Sequence, residues 1–312
     1  MSSDALAVMY HYVWPDTRPV PGGIRPLLAS EFEAQLDWLS ERYEITDPDV
    51  FLRRVAEGNW TAKPPCLLTF DDGTRDHAEV VAPILARRNL SGLFFILTWP
   101  LELGRMPLTH AVHWLLGQDE RAVWEAFEHY AAENLGGVQA LGAESEARKI
   151  YHYETSLRGR IKFAANMALA PDDAEKIVGA ALAAAGQDER DLASQWFASA
   201  DQVAAMQKSG MAIGLHGVSH RSLQALGGQG MAGEIRHASA YMKKVTGRPP
   251  RWWACPFGGS GADERAHEEM RAALREVGIS AAVTTDVKFV PAHCDPLAVP
   301  RLDCIDLPPR KK

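Results

Sequence analysis

Cysteine is scarce in this chain of 312 residues: Cys66, Cys255, Cys294 and Cys304 are the four present, and no two of them form a C-x-x-C pair. That scatter excludes a zinc ribbon and offers no disulfide framework, so buried, reduced thiols are expected. Positive charge is also short. With 33 Lys and Arg against 40 Asp and Glu, the net charge is −7 and the pI near 5.9, which argues against a polyanion such as nucleic acid as the main ligand. A small basic tail, Arg310-Lys311-Lys312, is expected to be solvated. Long apolar runs are missing too: Ala5–Tyr10, after a start without basic residues, is too short for a signal-peptide core or a membrane span, and cytoplasmic residence is the expectation. No internal repeat or low-complexity stretch is present. The cluster Gly227-Gly228-Gln229-Gly230 has no phosphate-loop lysine and follows no strand, so a plain loop is expected there.

What is present is a large apolar fraction, 46% against 23% charged, enough to bury the core of one big domain or of one domain carrying an insertion. Ser30-Glu31-Phe32-Glu33 has the form of a capping box, and Phe32, Leu36 and Leu39 follow at helical spacing, predicting a helix over 30–42. Cys66–Phe70 then reads as a buried strand, Asp76–Arg88 as a helix and Gly92–Leu97 as a second buried strand. The rhythm returns after residue 195. Ser199-Ala200-Asp201-Gln202 caps a helix, and Met211–Leu215, Ala232–Val245, Trp252–Cys255, Arg265–Val277 and Ser280–Thr284 alternate strand with helix. Such alternation predicts a parallel α/β sheet or barrel. Between the two stretches, residues 100–195 are rich in alanine and charge and read as an entirely helical insertion that shapes or covers the site.

Two motifs close apolar strands: Asp71-Asp72-Gly73 after Cys66–Phe70, and His216-Gly217-Val218-Ser219-His220 after Met211–Leu215. In parallel α/β architectures the carboxyl ends of strands face a common crevice, so the motifs converge despite their separation. His216 and His220, four apart, share one side if the segment turns helically, and Gly217 lets the backbone approach a ligand. Two imidazoles and a carboxylate with open positions suit a divalent, hydrolytic metal such as zinc, and a second carboxylate beside them can take a proton from water. Alone, an H-x-x-x-H is more often an ordinary pair and Asp-Asp-Gly a turn; together at strand ends they favour metal-assisted hydrolysis.

Thr69-Phe70-Asp71-Asp72-Gly73, His216–His220 and Pro256-Phe257-Gly258 resemble the first three motifs of the polysaccharide deacetylases, the NodB-homology group or carbohydrate esterase family 4. The resemblance covers about residues 5–100 and 195–305, within a single domain of 1–312. It implies a distorted (β/α) barrel, removal of an acetyl group from an N-acetylated sugar, Asp71 as general base, and Asp72, His216 and His220 as metal ligands. By the same likeness Pro256, Phe257 and Gly258 fall in the substrate-binding region. The sequence departs from the family twice. Where the third motif usually carries an arginine two residues before its proline, Ala254 stands; Arg251 and Arg301 are candidates to pair with Asp71, and Arg301, in a late strand-like segment, is preferred. The late histidine that serves as general acid is also missing. His11, at the end of the first apolar strand among aromatic neighbours, is the preferred substitute. His293 reads as a loop residue, and His110 and His113, on one helix face of the insertion, are further candidates that could reach into the site, with a solvated face the preferred reading.

Trp99, Trp114, Trp252 and Trp253 are candidates to stack on a sugar ring, with Trp99 best placed because it follows the strand Gly92–Leu97. The leading expectation is a metal-dependent de-N-acylase, removing acetyl or formyl from a soluble amino sugar or sugar nucleotide made for a surface glycan. Hydrolysis of a ring amide on the same fold, or a catalytically inactive glycan-binding protein, stay open as alternatives.

Overall fold

The alternation of apolar strands and helices is the architecture of the computed structural model, which describes residues 4–19, 24–60, 62–152, 154–259 and 262–308. The strands of the main sheet are β1 (Leu6–Tyr10), β2 (Pro65–Phe70), β3 (Leu93–Ile96), β4 (Ala212–Leu215), β5 (Trp252–Ala254), β6 (Ala281–Val283) and β7 (Leu302–Asp303). All are parallel and lie in the order β7-β1-β2-β3-β4-β5-β6, with the short strand Glu44–Ile45 added on β2. Beyond β6 the chain returns toward β1, because Val299 bridges Val283 and Leu302 pairs with Val8. The result is a curled sheet, the distorted (β/α) barrel that was expected.

Every position of β1, β2 and β3 is apolar or nearly so because both faces are covered. Leu6, Val8, Tyr10, Leu68, Phe70, Phe94 and Ile96 share a core with Phe32, Leu36 and Leu39 of helix α1 (Ala29–Arg42). The alternate positions Ala7, Leu67, Phe95, Trp252, Ala254 and Val283 fill the concave side with Phe51 and Val299. Asp71 continues the Leu67, Thr69 series and so points into that concave end.

The elements match their expected ranges closely, with informative exceptions. The start of α1 is not the Ser30–Glu33 box: Ser30 lies inside the helix with its hydroxyl on Asp16, and the Glu31 carboxylate accepts the Leu28 N–H at 2.9 Å. Ser199 does form a capping box, its Oγ accepting the Gln202 N–H at 3.2 Å and the Gln202 side chain accepting the Ser199 N–H at 2.9 Å. The helix expected over Asp76–Arg88 opens with a π-helical turn, His77–Val81, before continuing as Ala82–Arg87.

Residues 98–196 are helical wherever they carry regular structure, from Thr98–Leu103 to Glu189–Trp196. They include α2 (Leu108–Leu116) and build a core of their own, in which Val112, Leu115, Trp124, Phe127, Ile161 and Ile177 are buried. That core meets the barrel through Tyr12, Trp14, Leu97 and Phe197. The Gly227–Gly230 cluster lies within a helix, not in a plain loop: α3 (Leu223–Thr246) breaks helical geometry only at Gly227, where φ is 65° and ψ is 171°. All four cysteines are free. Among the described residues no helix is long and apolar enough to cross a membrane. The Arg310–Lys312 tail lies outside the described residues.

Candidate active site

Thr69 and Asp71 leave β2 on the concave side, and Arg301 reaches them from the start of β7. Its Nη1 and Nη2 donate to Asp71 Oδ1 and Oδ2 at 2.7 and 2.9 Å, a bidentate pair. Nη1 also donates to Thr69 Oγ1 at 3.1 Å, and Nε to the Thr284 carbonyl at 3.0 Å, so the guanidinium is fixed on the ends of two strands, β2 and β6. Both partners are 2% exposed. Burial alone would raise the Asp71 carboxyl, but the Arg301 guanidinium, with His216 and His11, more than offsets it and holds the group below the usual carboxylate range. Asp71 is therefore an anion at neutral pH. Arg251, the other candidate, is exposed and lies 3.9 Å from Asp49 at the amino end of β5, away from Asp71. Ala254 is fully buried on the concave side, and the guanidinium the third motif does not supply comes from β7.

Asp72 follows with φ 82° and Gly73 with φ 73°, two consecutive left-handed residues that reverse the chain at the end of β2. At Gly73 a Cβ would lie 3.3 Å from the Ile96 Cα, so a larger residue would be crowded there as well as strained by the positive φ. The turn aims Asp72 at His216 and His220, whose Nε2 atoms stand 3.3 and 3.4 Å from its Oδ1. Neither imidazole makes a hydrogen bond to that oxygen, which is buried and unpartnered. The three ligand-type atoms lie within 4.8 Å of one another. Three donors converging on a point without satisfying one another suit a bound cation.

The histidines are not brought together by a helical turn. His216 begins an irregular loop, with Gly217 at φ 89° and His220 at φ 60°, and the rings nevertheless lie 5.0 Å apart. Gly217 serves a close approach to Glu234, whose Oε2 would meet a Cβ at 2.9 Å, and that carboxylate accepts the Val218 N–H at 2.9 Å. His216 Nδ1–H donates to the Ala254 carbonyl at 2.8 Å, so Nε2 is the nitrogen that faces Asp72. Burial pushes the His220 imidazole down to about 3, so it is neutral, the form in which a histidine binds metal. Burial would raise Asp72 as well, but its imidazole neighbours, His110 first, hold it well below the usual carboxylate range.

His110 departs from its expected place. It is fully buried, not solvated, and its Nε2 lies 3.1 Å from Asp72 Oδ2. Its neighbour Thr109 meets His220 Nδ1 at 3.2 Å. His113 is half-buried and hydrogen-bonds Tyr12 through Nδ1 at 3.1 Å. Thr109, Glu234 and Thr284 carried no signal in the sequence; for His110 the H-x-x-H spacing was visible, but burial of that helix face was not.

His11 follows β1 at the same rim, close enough to bias the charge of Asp71 and His220, and its carbonyl accepts His77 Nε2–H at 2.6 Å. His293 sits at the opposite end of the barrel, where its Nδ1 donates to the Ala56 carbonyl at 2.8 Å. Phe257, with φ 57°, lays its ring 4.9 Å from that of His220, between the buried Pro256 and the left-handed Gly258. Trp252 and Trp253 are core residues, 4% and 1% exposed, and Trp114 packs on the insertion core, so none of these offers a sugar-stacking surface. Trp99 does lie at the rim, its backbone N–H donating to the Val218 carbonyl at 3.1 Å. One face of its indole is taken by the Arg105 guanidinium at 4.2 Å, with Arg221 at 5.7 Å, so it is a platform for arginines.

Residues 179–282 match the family model described as polysaccharide deacetylase, a segment that includes His216, His220 and Pro256–Gly258. In fold the chain is similar to the Streptococcus pyogenes deacetylase PplD, solved in complex with acetate, at 15% identity over 96% of this chain and 92% of that one with a TM-score of 0.58. It is similar to IcaB from Ammonifex degensii at 17% identity, 96% and 91% coverage and a TM-score of 0.58. The BpsB deacetylase domain from Bordetella bronchiseptica gives 14% identity, 96% and 95% coverage and 0.52. No curated protein matches in sequence. The family match and the shared fold bear out the resemblance read from the motifs.

Proposed function

We propose that this chain, a likeness of the polysaccharide deacetylases in motif and fold, is a metal-dependent hydrolase that removes an N-acyl group, acetyl or formyl, from an amino sugar. One observation carries the reading. The buried, unpartnered Oδ1 of Asp72 is faced by the Nε2 atoms of two imidazoles, directly beside a second carboxylate that Arg301 keeps ionised. Asp72, His216 and His220 would hold a divalent cation, zinc by the character of the donors, which supplies polarisation of the acyl carbonyl and a more acidic water. Asp71 accepts the proton of the attacking water. Its anionic form is ready at neutral pH, and the bidentate guanidinium fixes the direction in which its free lone pairs point. His11, at the end of β1, returns a proton to the departing amine. Phe257 packs on His220, and with Pro256 and Gly258 it lines the side of the site against which the acyl group rests. The proposed substrate is a soluble N-acylated sugar or sugar nucleotide, and the proposed place of action the cytoplasm.

The test is elemental analysis of the purified protein and of His216→Ala, with acetate and formate release measured for both on small N-acyl sugars. About one metal per chain is expected in the parent and none in the variant, with acid released by the parent alone. A metal-free parent that releases neither acid overturns the proposal.

A further inference from the structure

We propose that the helical insertion is part of the metal centre: Thr109 and His110, consecutive residues in the first turn of α2, are positioning residues that hold His220 and Asp72 ready for the cation. This inference rests on the metal-dependent reading above. The Thr109 hydroxyl donates to Asn166 Oδ1 at 2.9 Å, so toward His220 it can only accept, and it does so from Nδ1–H at 3.2 Å. That bond selects the tautomer whose Nε2 is bare, and Nε2 is the atom that faces Asp72 Oδ1 at 3.4 Å. Asn166 is anchored in turn, its Nδ2 donating to the Tyr151 hydroxyl at 3.3 Å.

His110 acts on the other partner and on the other oxygen. Its Nε2 lies 3.1 Å from Asp72 Oδ2, while the ligand imidazoles approach Oδ1, so the carboxylate is pinned on one side and open on the other. The ring of His110 is held edge-on by Phe197 at 4.9 Å and Tyr12 at 6.0 Å, and its Nδ1 makes no hydrogen bond. Asp72 has a left-handed backbone at φ 82°, a conformation that persists only where the surroundings over-determine it, and His110 supplies one of those restraints. His110 is not itself one of the three groups whose ligand atoms converge. Both contacts come from one helix turn whose opposite face, through Val112 and Leu115, is built into the insertion core. The insertion is thus joined to the metal site by two side chains.

The experiment measures the zinc dissociation constant of the full chain by chelator competition, the visible absorption of the cobalt-loaded protein, and the Tm of the metal-free protein. It compares the parent with Thr109→Val, Thr109→Ser, His110→Leu, His110→Gln and His216→Ala. Partners of metal ligands are typically worth 10–100-fold in affinity, so Thr109→Val and His110→Leu should each weaken zinc by about that much and alter the cobalt spectrum. Thr109→Ser and His110→Gln, which restore a hydroxyl and an N–H donor, should recover most of the affinity. Thr109→Val is nearly isosteric, so its metal-free Tm should stay close to that of the parent. Parent-like zinc affinity in Thr109→Val and His110→Leu, with binding abolished in His216→Ala, overturns this inference and leaves the metal site standing. A parent that binds no zinc overturns both.

Discussion

The barrel and the helical insertion reach the site in different ways. Asp71, Asp72 and His216 sit where β2 and β4 end, and Arg301 sits at the start of β7, so their positions are set by strand pairings that leave little freedom. Thr109 and His110 stand on a helix whose place depends on a second core, built around Trp124, Phe127 and Ile161 and sharing few residues with the barrel. The barrel therefore supplies the groups proposed to react, and the insertion supplies hydrogen bonds to two of the proposed metal ligands. Fold and reactive groups are placed by one region while their fine orientation depends on another, an arrangement that lets loops and added elements tune a barrel site.

The two regions should separate under mutation. The largest effect belongs to the barrel: Asp71→Asn keeps shape and loses the base, and kcat should fall by about 10²–10⁴ while zinc content is retained. If zinc is lost as well, the division between proton transfer at Asp71 and cation binding at Asp72 is wrong. Next comes Arg301→Met, which leaves a buried carboxylate unpaired and should cost about 3–5 kcal/mol of stability. It should also move the acid limb of kcat/KM to higher pH, since burial then raises Asp71 unopposed. The sign follows from linkage. In the parent the folded-state carboxyl lies below its unfolded value, so its stabilisation is full above the ordinary carboxylate range and is lost as pH falls through the folded value; in the variant that acid-side loss disappears.

On the insertion side, Phe127→Ala opens a cavity in a fully buried position and should cost about 3–5 kcal/mol, read as a lowered Tm. It should weaken zinc through Thr109 and His110 yet leave the pH of the acid limb unchanged, because the hydrogen bonds described for Asp71 and Arg301 all go to barrel residues. A shift of the limb in Phe127→Ala would join the regions more tightly than the structure has them. The smallest effect is expected at Ser199→Ala, which removes one half of a capping box where the chain re-enters the barrel and should cost about 1 kcal/mol in denaturant unfolding without touching kcat.

Much of the barrel was legible because its signals are local. An apolar run bounded by Asp71-Asp72-Gly73 or by His216-Gly217 announces a strand and its end, and the parallel arrangement then directs both ends to one crevice. Ser199–Gln202 was likewise readable as a cap. Other readings failed where a local pattern had two physical outcomes. Ser30-Glu31-Phe32-Glu33 offered a box one way, and the chain used Glu31 to cap from inside the helix because Ser30 is drawn to Asp16. His216 and His220 at a spacing of four suggested a helical turn, yet two left-handed residues make the same approach of the rings. His110 and His113 looked solvated because helical spacing tells which residues share a face and not what covers it.

Taken alone, the amino-acid order determined the strand and helix alternation, the two strand-end motifs, and hence the class of donors at the site, because each depends on neighbours a few residues apart. The choice between Arg301 and Arg251 as partner of Asp71, which the sequence narrowed to a preference for Arg301, the burial of His110 against Asp72 and the capture of the Trp99 face by Arg105 were settled by tertiary structure. The physical reason is that a guanidinium, an imidazole or an indole can be satisfied by many partners. Only the packing of one core against another excludes water and selects which partner remains within reach.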